Sequence, residues 1–310
     1  MDSLEGLQKR IKTTQDLRSI VSTMKSLSAV SIIQYDAALK SLLEYGRTID
    51  TGVVGLMRNG VVNIAKPPKQ SSERRRALAV IIGSDTGLVG KINRDVVSFA
   101  KKTLKDKGFN LKKTAFIAIG RQIIGQLERE GNPMLASYPV SNSIKAISTT
   151  ASAVLIKIDE VMQPEKISHV YLFYSQKRGT SVKPHASLLM PMGEGWLEDL
   201  KTEKWHSRRF PTFTMPAGAL FSSLVQERLL IELSTAVTDA LTAEHHTRLM
   251  TMQAAEKNID ENLERMNLEY QQKRQENITT ELLDVVSGAE ALRSKEKKPR
   301  SRIVEETAVV

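Results

Sequence analysis

Between Ala219 and Ser287 the chain runs for 69 residues without a Gly or a Pro. Within it, Leu224, Ile231, Met252, Ile259 and Met266 fall on one seven-residue grid, with Thr238 and His245 as polar gaps. Ile278, Leu282 and Val285 continue the apolar stripe at steps of four and three. The pattern predicts one helix of about 100 Å at ~1.5 Å per residue, punctuated by Gly218 and Gly288. The stripe is thin, because Glu244-His245-His246-Thr247-Arg248 and Glu256-Lys257-Asn258 are polar. Such a helix needs a partner helix, and part of its length is expected to face other proteins or water.

The partner is at the other end of the chain. From residue 3 to about 57, Leu7, Thr14, Val21, Ser28, Tyr35, Leu42, Ile49 and Leu56 lie seven apart. A second row, Leu4, Ile11, Ile32, Leu39 and Val53, is interrupted by Arg18, Lys25 and Gly46. Heptads sustained over this length predict a coiled coil. Asp2 or Ser3 can cap its first turn, with Glu5 at the positive end of the dipole. The expected organisation is an antiparallel two-helix coiled coil from residues 1–66 and 211–292, with an inserted α/β domain at 67–210.

The middle reads differently. Pro67-Pro68 breaks any helix, and Lys69 to Glu73 is loop composition. Arg74-Arg75-Arg76 reads as a solvated edge before a strand. Ala77 to Ile82 is a continuous apolar run stopped at Gly83, the pattern of a buried strand. Helix is expected at about Val89–Lys107, strand at Ala115–Ile119, helix at Arg121–Glu130 and Ser143–Met162, and strand at His169–Tyr174. A turn at Arg178-Gly179-Thr180 leads into a last strand around His185–Met190. Strands alternating with helices predict an α/β, Rossmann-like domain with a largely parallel sheet and a hairpin at its end. A loop at 191–218 carries both tryptophans, Trp196 and Trp205. The basic tail, residues 293–310, is expected to be disordered.

Composition narrows the chemistry. Aromatic residues are only 5% of the chain, which suits long helices packed through aliphatic knobs. There is no cysteine, so disulfides, zinc-thiolate sites and thiol chemistry are excluded. The net charge of +10 permits a nucleic acid, an anionic membrane or an acidic protein as partner and selects none of them. No run reaches the ~18 apolar residues of a membrane span. The acidic start Met1-Asp2-Ser3-Leu4-Glu5 is neither a signal nor a transit peptide, so the chain is read as soluble, with no targeting segment.

Gly83-Ser84-Asp85-Thr86-Gly87-Leu88-Val89-Gly90-Lys91 sits where a strand passes into a helix, the usual place of phosphate-binding loops. The spacing does not fit, because a P-loop needs Gly, four residues, Gly-Lys and then Ser or Thr. Asp85-Thr86-Gly87 is an aspartic-protease tripeptide without a second copy. A tight strand-to-helix turn accounts for the glycines. His245 and His246 are adjacent, whereas helical metal ligands need spacings of three or four, so they are read as facing solvent or a partner. No constellation supports catalysis, a metal or a cofactor. The residues alone leave two functions open: a non-catalytic scaffold whose work is mechanical or interaction-based, and a nucleotide- or nucleic-acid-binding module.

Three stretches together resemble the gamma subunit of rotary F-type ATP synthases. The first is Leu7 to Thr14 with Ile20 to Val30. The second is Ser84 to Gly90. The third is Glu244-His245 with Arg248-Leu249-Met250, Ala254 to Asn258, Lys273-Arg274-Gln275 and Ile278 to Ala289. The resemblance implies a central-stalk rotor subunit that catalyses nothing itself and binds no nucleic acid. Its coiled coil would enter a hexamer of alternating alpha and beta subunits, and its Rossmann-like domain would dock with epsilon on the membrane c-ring. It implies partner-contact and coupling roles for Met24, Lys25, Arg274, Gln275 and Thr279. The chain departs from the family pattern at Thr86, where a basic residue is usual, at Lys91, often a glycine, and over Ser26 to Ile32. These departures resemble the alternate, N-type (sodium-type) branch. The chain lacks the cysteine-bearing insert of chloroplast gamma subunits, so no redox control is expected.

Overall fold

The computed structural model describes residues 3–58, 76–140, 143–192, 196, 199–200, 202 and 212–296. The elements in chain order are α1 (Leu4–Arg58), β1 (Ala77–Ile82), α2 (Ile92–Asp106), β2 (Ala115–Ile119), α3 (Arg121–Arg129), β3 (Met134–Tyr138), α4 (Ile144–Met162), β4 (His169–Arg178), β5 (Ser181–Met190) and α5 (Ala217–Glu296). They form two compact units: Met1–Ser22 with Ala254–Val310, and Thr23–Gln253.

The first unit is a helix pair. Arg18 of α1 faces Asp260 of α5, its Nε donating at 2.5 Å to Oδ1. Leu7 and Met266 are buried, and Leu4, Ile11, Thr14, Ile259 and Leu263 are half-buried. The rows read from the sequence are therefore the seam. Arg18, an interruption of the second row, is an exposed ion-pair partner rather than a seam residue. Fourteen residues back from Arg18, Leu4 comes level with about residue 274 of an antiparallel partner. This explains why every side chain of α5 from Arg274 to Arg293 is exposed, including Ile278, Leu282 and Val285.

The second unit centres on a five-stranded sheet in the order β3-β2-β1-β4-β5. All neighbours are parallel except β4 and β5, which form the expected hairpin. Gly179 turns that hairpin with a φ of 63°. β1 and β2 are buried on both faces, which is why they read as unbroken apolar runs. Leu78, Val80 and Ile82 of β1 face a core shared with α4 and α5. Ala77, Ala79 and Ile81 face the other core, built with Val96, Val97, Ala100 and Leu104 of α2 and Ile123 and Leu127 of α3. Helix α5 thus belongs to the core, contributing Leu229, Leu233, Ala236, Val237, Ala240 and Leu241.

Along the rest of α1 in this unit the pairing is again antiparallel. An added Cβ at Gly52 would meet Leu224, and one at Gly46 would meet Ile231. Tyr35 lies against His245. Gly46 is buried, so the third interruption of the second row is a point of close approach. At the lower end, Asp50 Oδ1 accepts from Trp196 Nε1 at 3.0 Å and from Arg228 Nε at 3.1 Å.

Four expectations change. Helix α5 does not stop at Gly288 but continues to Glu296. A lone helical glycine costs only about 1 kcal/mol, too little to end a long helix by itself. Helix α2 begins at Ile92, not Val89, because Leu88 and Gly90 take positive φ values of 62° and 58°. β4 and β5 extend beyond the predicted runs, to ten residues each, because cross-strand pairing carries them out to the turn. β3 has no counterpart in the sequence reading. It is a five-residue edge strand, half-exposed, and only its pairing with β2 defines it. Arg76 at the entry to β1 donates to the carbonyls of Lys113 and Glu165, so it anchors that edge. Pro67-Pro68, Arg74-Arg75, Trp205 and the tail from residue 297 lie outside the described residues.

Candidate functional site

The sheet order places the strand reversal between β1 and β4: β2 and β3 follow to one side of β1, β4 and β5 to the other. In open α/β sheets the crevice beyond the carboxyl ends of such strands is where ligands bind. The β1–α2 turn lines it. Gly83 N donates to Ile119 O at 2.9 Å, and Gly120 N to Tyr138 O at 2.8 Å, so adjacent strand ends are tied together. Ser84 N donates to Asn93 Oδ1 at 3.0 Å, and Asn93 Nδ2 donates to Ser84 Oγ at 2.8 Å. Asp85 Oδ1 accepts from the backbone N–H groups of Arg121 at 2.9 Å and Val140 at 3.0 Å. The start of α3, a ready anion site, is thus served by a carboxylate of the chain itself.

Helix α5 brings Glu244 and Arg248 over this turn. Their spacing of four places them on one face, and they are 6% and 7% exposed. Arg248 Nη2 donates to Glu244 Oε1 at 2.7 Å and to Thr86 Oγ1 at 2.5 Å. Arg248 Nε is buried with no hydrogen-bond partner among the described residues. Burial pushes the Glu244 carboxyl above its ordinary range, against the lowering pull of Arg248 and Thr86. The sequence reading left this polar stretch facing partners or water, whereas the fold buries Glu244 and Arg248 and half-buries the three residues between them. The i,i+4 Glu–Arg spacing was the available signal, and it is equally the spacing of a solvated pair.

The two histidines are also corrected in part. His245 stacks on Tyr35 with ring centroids 5.5 Å apart, and burial lowers its pKa to about 4. His246 beside it is less buried and shifts in the same direction. Among the described residues no group of acids and histidines could hold a metal ion. A neutral buried histidine binds fewer protons folded than unfolded, so its stabilising share is complete above pH ~6.5 and is lost as pH falls toward 4. Glu232, Asp239 and Glu244, all raised by burial, act in the opposite sense in the acid range. The His245 share is therefore read as a difference. His245→Phe, which keeps a ring for Tyr35, should gain in melting temperature relative to the native chain as pH drops from 7 to 5. A constant offset across that range would count against it.

The five residues singled out for partner contact divide between the units. Met24 and Lys25 are half-buried on α1 in the Thr23–Gln253 unit, and Met24 O accepts from Ser28 Oγ at 2.8 Å. Arg274, Gln275 and Thr279 are exposed on α5 in the other unit, on consecutive turns, with Thr279 Oγ1 donating to Gln275 O at 2.9 Å.

A family model described as ATP synthase matches residues 3–292. The chain belongs to the ATP synthase family. Relatives within it include the ATP synthase gamma chain of Geotalea uraniireducens, 23% identical over 295 residues that span 94% of this chain and all of the relative. That of Anaeromyxobacter dehalogenans is 25% identical over the same shares. The fold is also that of a chain in the Euglena gracilis mitochondrial ATP synthase, OSCP/F1/c-ring, in rotational state 3. There the TM-score is 0.61 at 16% identity, covering 98% of this chain and 99% of the other. A chain of the rotor of the same enzyme in rotational state 1 gives 0.58 at 16% identity, covering 89% and 98%. Among the described residues no helix is long and apolar enough to cross a membrane.

Proposed function

We propose that this chain is the central-stalk gamma subunit of a rotary F-type ATP synthase, carrying rotation between the membrane c-ring and the alternating catalytic sites of an alpha-beta hexamer. The observation that carries the reading is the pairing of a 55-residue helix and an 80-residue helix from opposite ends of one chain, with the second helix built into the core of a five-stranded sheet. End-to-end alignment with gamma chains supports it. In this role residues 1–66 and 211–292 form the shaft and 67–210 the body, and the partners are alpha, beta, epsilon and the c-ring. The subunit is a peripheral component on the cytoplasmic, or equivalent energy-conserving, side of the membrane. It works by differential contact: an asymmetric shaft inside a ring of similar subunits offers each beta subunit a different face, and an equilibrium shifts only as far as those contacts differ.

Met24 and Lys25 on α1, and Arg274, Gln275 and Thr279 on α5, are the contact residues of this reading. Lys25→Ala should lower coupled turnover while leaving the melting temperature of the chain within a degree or two of native. Equal loss of both would remove it from the coupling set.

Co-expression with alpha and beta subunits tests the whole reading. A 3:3:1 particle is expected, with steady ATP hydrolysis that depends on this chain and no hydrolysis by the chain alone. Elution of the chain by itself would assign its coiled coil to another assembly.

A further inference from the structure

Helix α5 is held on the sheet by apolar side chains, several of them small: Ala236, Val237, Ala240 and Leu241. Apolar burial is strong but non-directional, so this patch resists separation better than it resists sliding or rotation about the helix axis. One turn further along α5 the character of the contact changes. Glu244 and Arg248 are both buried, and Arg248 reaches the β1–α2 turn at Thr86. A buried ion pair seldom adds net stability over well-packed apolar residues, because desolvation offsets the Coulomb attraction. Its best-attested use is to select one register.

We infer that Arg248, held by Glu244 and seated on Thr86, is a positioning residue that fixes α5 in a single register on the sheet, so that rotation of the helix reaches the sheet without slip; this rests on the central-stalk reading. The receiving side is built to spread a load. Ser84 Oγ donates to Thr86 O at 3.0 Å and accepts from Asn93 of α2. The next residue, Asp85, holds the backbone at the start of α3 and at Val140. A displacement at Thr86 therefore reaches α2, α3 and the segment leading to α4 through hydrogen bonds. The seat lies at the strand reversal, the crevice that other open sheets give to a ligand; here α5 fills it. The Thr86 hydroxyl accepts a hydrogen bond from Arg248 Nη2.

Two measurements test the seat. In the full chain, Thr86→Val, Arg248→Gln and the double variant form a thermal-unfolding cycle. Non-additive losses are expected, and additive losses would show that the two residues do not interact. In membrane vesicles carrying the complete complex, ATP hydrolysis and ATP-driven ion uptake are followed together. Thr86→Val should keep hydrolysis close to native while ion uptake per ATP falls about two-fold or more, with a larger fall for Arg248→Gln and partial recovery in Arg248→Lys. Uptake per ATP that stays native in every variant, or that falls only in step with hydrolysis, overturns the inference. If the native chain forms no particle with alpha and beta, the central-stalk reading fails first, and the unfolding cycle still decides whether the contact exists.

Discussion

Gly120→Ala is expected to cost about 2–4 kcal/mol of stability, a fall in melting temperature of roughly 5–12 °C for a unit of this size. Gly120 joins β2 to α3 with φ 110° and ψ 128°, a conformation that side-chain-bearing residues rarely adopt. A Cβ there would stand 2.9 Å from the carbonyl carbon and oxygen of Gly83 and from Ser84 O. Those atoms are backbone and cannot rotate away. Relief would require β1 and β2 to part at the end that lines the strand-reversal crevice, so the loss should extend to the Arg248 seat. The comparison is Gly108→Asn. Gly108 also has a positive φ, 82°, but an added Cβ meets nothing within 4 Å, and Asn tolerates the left-handed region. That variant should lose less than about 1 kcal/mol. If both melt alike, the close approach of Gly120 to Gly83 is not what the glycine is for.

Glu244→Ala should be as damaging for an electrostatic reason. It leaves Arg248 charged and 7% exposed, with Nε already lacking a hydrogen bond among the described residues. Removing one partner of a buried pair typically costs 3–5 kcal/mol, because the other charge stays desolvated, so a loss of about 3 kcal/mol or more is expected. Asp260→Asn supplies the contrast. It breaks the Arg18 pair, whose side chains are 51% and 47% exposed, and water replaces the lost contact, so no measurable shift in melting temperature is expected. Guanidinium melts of the two variants decide the point. A Glu244→Ala chain as stable as Asp260→Asn would mean that water reaches Arg248.

The long helices were legible because their signal is periodic. Leu7, Thr14, Val21, Ser28, Tyr35, Leu42, Ile49 and Leu56 repeat every seven residues, and all eight are buried or half-buried in the structure. β1 and β2 were legible for a related reason: a strand covered on both faces must be apolar throughout. β3 was not, because an edge strand of five half-exposed residues carries no pattern of its own and exists through its hydrogen bonds to β2. The contact roles proposed for Met24, Lys25, Arg274, Gln275 and Thr279 rest on resemblance, since periodicity marks only the face that is buried and says nothing of what covers the other.

The sequence by itself determined the two helices, their antiparallel partnership and the α/β character of the middle, because each is written in the spacing of apolar residues along a single segment. Tertiary structure alone decided what the polar residues do. Glu244 and Arg248 have the spacing of an ordinary solvated pair, and His245 that of a gap in a heptad. Whether such groups are wet or buried depends on which surface the helix meets, and that surface is Thr86 and Tyr35, at least 158 residues away along the chain. A local pattern fixes local conformation, whereas the energy of a charge is set by everything packed around it.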